Sequence, residues 1–271
     1  MNADHTTAQT GAVRAPGWVR MALELRAPLE FAASLAAAPW LASAPRGDGH
    51  AVIVYPGFMG SDLSTRPMRR LLRWLGHDVQ GWGQGRNLTP STEVLDGALE
   101  RIEKLHAQQG RRVSLVGWSL GGVYARELAK RAPQAVRIVV TLGSPFTGPA
   151  QATNANRLYE WVNGGRPQAD ISREALRSAP PVPTTSIYSR SDGIVAWQCS
   201  VEQAGALTEN IEVEASHTGL GVNPTALYAL ADRLAQAEGQ WLPFARTGLR
   251  QLVYPDPLRR GTGRSNDTES R

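Results

Sequence analysis

The sequence predicts an α/β fold with a mostly parallel six-stranded sheet and helices on both faces. Short β-branched or apolar runs recur near residues 51–55, 78–82, 112–117, 136–142, 184–189 and 210–215. Helical patterns alternate with them at about 65–76, 90–109, 120–131, 196–206 and 223–236. Such alternation builds a parallel sheet, because a parallel neighbour requires a crossover long enough to hold a helix. The chain is also large enough: 271 residues with 42% apolar content can bury a full sheet between helices, and no repeat or long charge run suggests a second module. Residues 49–243 are expected to form this domain, with an N-terminal extension over 1–48 and a partly disordered tail over 244–271.

From the N-terminus, Trp18 to Leu41 is largely apolar, but Arg20, Glu24, Arg26, Pro28 and Glu30 interrupt it, so no run reaches membrane-spanning length. It starts too late and is too charged for a signal peptide, although Ala42-Ser43-Ala44 mimics a cleavage site. An amphipathic helix is expected, with Trp18, Met21, Leu25, Leu29, Ala32 and Leu35 near one face. That face either packs on the core or meets a lipid surface. The apolar strand 51–55 (AVIVY) then leads into Pro56-Gly57-Phe58-Met59-Gly60-Ser61-Asp62, a turn-rich loop before a helix.

The strand at 112–117 runs into Gly117-Trp118-Ser119-Leu120-Gly121, a G-x-S-x-G box followed by helical residues. This context places Ser119 on a sharp strand-to-helix turn, a nucleophile elbow. Side chains at 117 and 121 would crowd such a turn, and the following helix aims its N-terminal N–H groups at the site. A serine needs a histidine to take its proton and a carboxylate to hold that histidine's tautomer. Asp192 follows the strand 184–189 at a glycine-containing turn, and His217 follows the strand 210–215 in Ser216-His217-Thr218-Gly219. The other histidines fit less well: His5 lies in a polar leader, His50 precedes a strand, His77 sits in a helix-to-strand turn and His106 on a flanking helix. Ser119, Asp192 and His217 thus all lie beyond the carboxyl ends of strands, where open parallel sheets place their sites. Asp170 is the competing acid, but it falls in a stretch without a strand pattern. The order Ser, Asp, His is that of the α/β-hydrolase fold, in which the oxyanion donors are backbone N–H groups of the residue after the nucleophile and of the loop after the first central strand. Here these are Leu120 and Phe58.

Between the fourth and fifth strands, residues 147–183 carry Tyr159, Trp161, Gly164-Gly165 and Pro180-Pro181-Val182-Pro183, a natural place for a lid over an acyl pocket or for a plain surface helix and loop. Cys199, the single cysteine, excludes an internal disulfide and a multi-cysteine zinc site, and it is expected in a helix as a buried structural thiol. No His, Asp and Glu cluster at ligand spacing suggests a metal. The net charge of +5 comes largely from Arg66, Arg69, Arg70 and Arg73 on one helix and from Arg259, Arg260, Arg264 and Arg271 in the tail. Neither group has the aromatic interleaving of a nucleic-acid platform, so a solvated face and a disordered terminus are expected, with weak attraction to anionic lipid as the alternative.

On Thr184-Thr185-Ser186-Ile187-Tyr188-Ser189, Asp192-Gly193-Ile194-Val195 and Ser216-His217-Thr218-Gly219-Leu220, the chain resembles bacterial α/β-hydrolases of the small lipase and esterase group, notably the compact Bacillus-type lipases. Tyr55-Pro56-Gly57-Phe58, Gly81-Trp82-Gly83-Gln84-Gly85-Arg86-Asn87-Leu88 and the box at 117–122 resemble a set of proteobacterial α/β-hydrolases. The likeness spans roughly residues 50–240 and implies Ser119 as nucleophile, Asp192 as acid, His217 as base, and Phe58 and Leu120 as oxyanion donors. Two positions depart from the lipase pattern. Pro56 stands where a loop-steadying histidine is usual, and Trp118 stands before the nucleophile, where histidine is frequent. The expectation is a serine hydrolase of small-molecule or lipid carboxylic esters that needs no cofactor and binds no nucleic acid. It is expected to be cytoplasmic, with peripheral membrane association open. An acyltransferase with the same triad, or a non-catalytic membrane-associated or partner-binding protein on this fold, are the alternatives.

Overall fold

The computed structural model describes residues 13–149, 152–155, 173–248 and 250–256. Its centre is a six-stranded sheet of β1 (Ala51–Tyr55), β2 (Asp78–Gly81), β3 (Val113–Trp118), β4 (Val136–Leu142), β5 (Thr184–Tyr188) and β6 (Thr208–Glu212). The order is 2-1-3-4-5-6, and every neighbouring pair is parallel. The described helices are α1 (Trp18–Ala22), α2 (Ala27–Ala36), α3 (Ala38–Ala42), α4 (Arg66–Trp74), α5 (Thr92–Gln109), α6 (Leu120–Arg131), α7 (Arg173–Arg177), α8 (Pro224–Leu234) and α9 (Arg250–Val253).

Strand pleating sends alternate side chains to opposite faces, and β1 uses both. Val52 and Val54 join one core with Met68 and Leu72 of α4 and Leu227, Leu230 and Leu234 of α8. Ala51, Ile53 and Tyr55 join the other with Leu95 and Ile102 of α5 and Tyr124 and Leu128 of α6. This double burial explains why β1 reads as a continuous apolar run. Phe244 and Tyr254 also lie in the first core, so the chain beyond α8 packs onto it as far as α9.

Two expected elements differ. The helix expected over 196–206 is only a 3₁₀ turn, Trp197–Ser200, after which Val201 is extended. Tertiary bonds claim the segment instead: Phe146 and Thr147 donate to the Cys199 carbonyl, the Asn210 side chain bonds both Glu202 N–H and Glu202 C=O, and Glu202 forms a fully buried ion pair with Arg126. The last strand runs over Thr208–Glu212 rather than 210–215, so His217 lies in a loop five residues past its end.

The N-terminal segment is broken where Pro28 and Pro39, lacking N–H donors, each start a new first turn. Of the two orientations left open, the apolar face is turned outward. Trp18, Leu25 and Leu29 point to solvent with 77%, 84% and 72% exposure, whereas Glu30 and Ser34 are buried. The segment therefore meets the domain through its polar side. Leu41 in the core and Trp40, stacked on Tyr228 at 4.6 Å, complete the attachment.

Candidate active site

β2 and β3 lie on opposite sides of β1, so the connections diverge between β1 and β3 and open a crevice at the carboxyl ends of the strands. Ser119 stands at that point, between β3 and α6, with φ 53° and ψ −121°. A non-glycine residue is strained there, and the neighbouring glycines make the turn possible. A Cβ on Gly117 would lie 2.3 Å from Gly122 Cα, and one on Gly121 would lie 2.2 Å from the Tyr55 carbonyl oxygen. The Ser119 N–H donates to Leu142 O at 2.8 Å, tying the elbow to the end of β4.

The loops after β5 and β6 bring Asp192 and His217 to the same place. His217 Nδ1 is 2.6 Å from Asp192 Oδ2, and His217 Nε2 is 2.9 Å from Ser119 Oγ. Asp192 Oδ1 accepts the Ile194 and Val195 N–H groups at 2.8 and 2.7 Å, which fixes the carboxylate. With Nδ1–H donated to Asp192, Nε2 is left to accept the serine proton. Burial alone would lower the His217 pKa, but the charge and hydrogen bond of Asp192, together with the charge of Glu24, raise it overall. Gly143, at φ +56°, leaves room for the pair, since a Cβ there would lie 3.1 Å from His217 Nδ1 and 3.2 Å from Asp192 Oδ2.

Leu120 opens α6, so its N–H belongs to the first turn, whose donors have no acceptor within the helix. Opposite it, a Cβ on Gly57 would lie 3.2 Å from Ser119 Cβ, which puts the loop carrying Phe58 against the serine. Pro56 replaces the usual histidine, and buried Asn87 steadies this loop: its Nδ2 donates to Pro56 O at 2.7 Å, its N–H to Gly60 O at 2.8 Å, and its carbonyl accepts Met59 N–H at 2.7 Å. Trp118 braces His217, with Nε1 donating to His217 O at 3.1 Å.

A family model described as a PGAP1-like alpha/beta domain matches residues 75–203, a stretch holding Ser119 and Asp192 but not His217. Comparison with curated protein sequences gave no match. Among solved structures, the extracellular α/β-hydrolase of a Paenibacillus species aligns with TM-score 0.48 at 14% identity, over 69% of this chain and 98% of that one. A structure reported for LipS and LipT, two metagenome-derived lipolytic enzymes, gives 0.49 at 16%, over 70% and 93%. Aspergillus fumigatus lipase B gives 0.54 at 19%, over 73% of this chain and 57% of that one, so the chain spans little more than half of that lipase's length. The parallel sheet and this superposition agree. The chain has the α/β-hydrolase fold.

The fold also holds a second Ser, His and Asp series at the opposite end of its sheet. His50 Nδ1 is 2.6 Å from Asp48 Oδ1 and Nε2 is 2.7 Å from Ser114 Oγ. His50 and Ser114 are wholly buried at the amino ends of β1 and β3, away from the crevice at the carboxyl ends, so the series ties together the amino ends of two central strands. Tyr159, Trp161 and Asp170, and with them most of the expected lid, lie outside the described residues. Asn87, Gly143 and Glu24 escaped the sequence reading. Asn87 appeared there only as part of the Gly81–Leu88 stretch and Glu24 only as a charge interrupting an apolar run, and Gly143 and Glu24 acquire a role only through contacts across the fold.

Proposed function

We propose that the protein hydrolyses carboxylic esters through an acyl-enzyme on Ser119. The observation that carries this reading is the continuous hydrogen-bonded series from Asp192 through His217 to a strained Ser119 at the crevice of the sheet. Ser119 Oγ attacks the acyl carbon while its proton passes to His217 Nε2, and the carbonyl electron pair moves onto oxygen, facing the N–H groups of Leu120 and Phe58. Collapse of this tetrahedral species breaks the ester C–O bond. The leaving alkoxide takes the proton from Nε2, and water repeats the sequence to free the acid and Ser119. Asp192 keeps Nδ1 protonated and stabilises the imidazolium throughout.

The test is p-nitrophenyl ester hydrolysis over a graded acyl-chain series, combined with fluorophosphonate labelling and peptide mass spectrometry. The adduct is expected on Ser119, and Ser119→Ala should lower kcat by about three orders of magnitude or more. Labelling elsewhere, or undiminished hydrolysis by Ser119→Ala, overturns the assignment. Product partition into an added alcohol rather than water would identify an acyltransferase.

The working surface we assign to this chemistry is an anionic lipid interface. Support comes from the outward apolar side chains of α1 and α2 and from an open groove of about 830 Å³ where Phe31 and Leu35 meet Arg66, Arg70 and Trp74. Apolar side chains beside cationic ones suit an anionic bilayer, in which the former insert and the latter meet headgroups.

A further inference from the structure

We infer that Glu24 is a positioning residue that locks the acid and base loops to one another. This inference rests on the proposed Ser119, His217 and Asp192 chemistry and adds a fourth side chain to it, from an extension outside the sheet. Glu24 Oε1 accepts two N–H groups, that of Gly193 at 2.8 Å and that of His217 at 2.9 Å. Gly193 follows the acid directly, so one carboxylate oxygen bridges the backbone of Asp192's loop to the backbone of the base. Oε2 accepts the N–H of Thr218 at 2.9 Å and its hydroxyl at 2.8 Å. All four bonds need acceptor oxygens, and an ionised carboxylate alone offers acceptors on both sides with no donor of its own. Partial burial opposes ionisation, but the bonds from Thr218, His217 and Gly193 outweigh it and keep the carboxyl below its ordinary range.

The fit is built from both sides. A Cβ on Gly193 would lie 2.2 Å from Arg20 O, and one on Gly219 would lie 2.1 Å from Glu30 Oε2, so both loops are bare where the segment crosses them. Neighbouring side chains extend the seam: Glu30 accepts Ser216 N–H at 2.7 Å and Asn223 Nδ2 at 3.2 Å, and Arg26 donates to Glu30 at 2.9 Å and to Ser191 Oγ at 2.5 Å. This seam is why the polar side of the N-terminal segment turns inward.

Glu24 acts on His217 in two ways. Its bonds hold the imidazole's backbone at fixed distance from Asp192, and its negative charge favours the imidazolium formed during proton transfer. The charged groups around the junction are Arg26 and Glu30 on the same segment, Asp192 and Arg190 after β5, Glu212 at the end of β6, and Glu214 beyond it. Glu24 and Asp192 are the two carboxylates that raise the His217 pKa.

The experiment compares Glu24→Gln and Glu30→Gln in the full chain. The glutamine amide retains size but turns one acceptor into a donor facing N–H groups. For Glu24→Gln we expect kcat for a short-chain p-nitrophenyl ester to fall roughly 10- to 100-fold with KM little changed, by analogy with the range lost when a hydrogen-bonded support behind a metal ligand is removed. The acid limb of kcat/KM should move to lower pH, since removing an anion disfavours the imidazolium. Imidazole titration of His217 by NMR should move the same way, and it needs no substrate. Glu30→Gln should lower the thermal midpoint but leave the His217 titration in place. An unmoved His217 titration in Glu24→Gln, or an equal shift in both variants, overturns the inference. If wild type hydrolyses no ester while the Glu24→Gln titration still shifts, positioning stands and the ester reading fails.

Discussion

Asp192 anchors its own loop through Oδ1 and holds His217 through Oδ2, so a substitution there separates packing from the proposed chemistry. Asp192→Asn preserves volume, and its amide can still accept from Ile194 and Val195 while presenting an N–H to His217 Nδ1. The ring is then held in the tautomer whose Nε2 carries a proton and cannot accept one from Ser119. We expect kcat to fall by about 10⁴-fold, as when an orienting aspartate becomes an amide in a serine triad, with a thermal midpoint close to wild type. Steady-state kinetics and thermal denaturation check this, and Asp170→Asn should leave kcat near wild type. Inactivation by Asp170→Asn but not by Asp192→Asn would reverse the choice of acid. In the proposed mechanism His217 must be neutral to accept the serine proton, so ester hydrolysis by the wild type is expected to decline as pH falls through its raised pKa, which a pH–rate profile checks.

At the scale of elements, the entry to β1 is expected to sensitise the sheet to acid. His50 and His77 pack edge to face at 5.3 Å, and neither ring nitrogen of His77 has a hydrogen-bond partner among the described residues. Burial, and then the neighbouring His50, push the His77 pKa down to about 4, and burial lowers that of His50 as well. Asp48 resists this only in part, because its carboxylate is shared among His50, Arg111 and Arg137. The folded-state values lie below the unfolded value near 6.5, so protonation favours unfolding. Stability contributed by the neutral rings is complete above about pH 6.5 and is lost as pH falls toward about 4. His77→Leu removes one proton uptake while filling similar space. The slope of thermal midpoint against pH over this window should become shallower than in wild type, and an unchanged slope would show that His77 binds protons equally in the folded and unfolded states.

For the whole molecule, the proposed lipid surface predicts that binding and stability separate. Trp18, Leu25 and Leu29 contact little of the domain, so replacing all three by serine should leave the thermal midpoint and soluble-ester hydrolysis unchanged. Each buries roughly 1.5 to 3 kcal/mol of favourable transfer on insertion, so the triple variant should lose cosedimentation with phosphatidylglycerol vesicles. Arg66, Arg70 and Arg73 are solvent-facing on α4 and should make wild-type binding weaker on neutral phosphatidylcholine and sensitive to salt. Failure of wild type to sediment with either vesicle refutes the lipid surface. A concentration-dependent dimer abolished by the triple variant would instead assign this face to a second copy of the chain.

The sequence by itself determined the alternation of strands and helices, the continuous apolar run of β1 and the elbow at Ser119, because each rests on local periodicity or on glycines beside a strained turn. It also ordered Ser119, Asp192 and His217 along the chain and put each beyond a strand, although the strand before His217 was read too late. What the sequence misplaced or left open was set by distant partners. Residues 196–206 have helical composition, yet Asn210, Phe146 and Arg126 claim their backbone and the Glu202 side chain, so only one 3₁₀ turn survives. The N-terminal segment has an apolar face whose periodicity is legible, but which face turns inward depends on the N–H groups offered by the loops after β5 and β6. Only the tertiary structure supplies those groups: Gly193, Ser216, His217 and Thr218 lie more than 160 residues from Glu24 and Glu30, and a carboxylate's preference for several converging donors outweighs the burial of Trp18, Leu25 and Leu29.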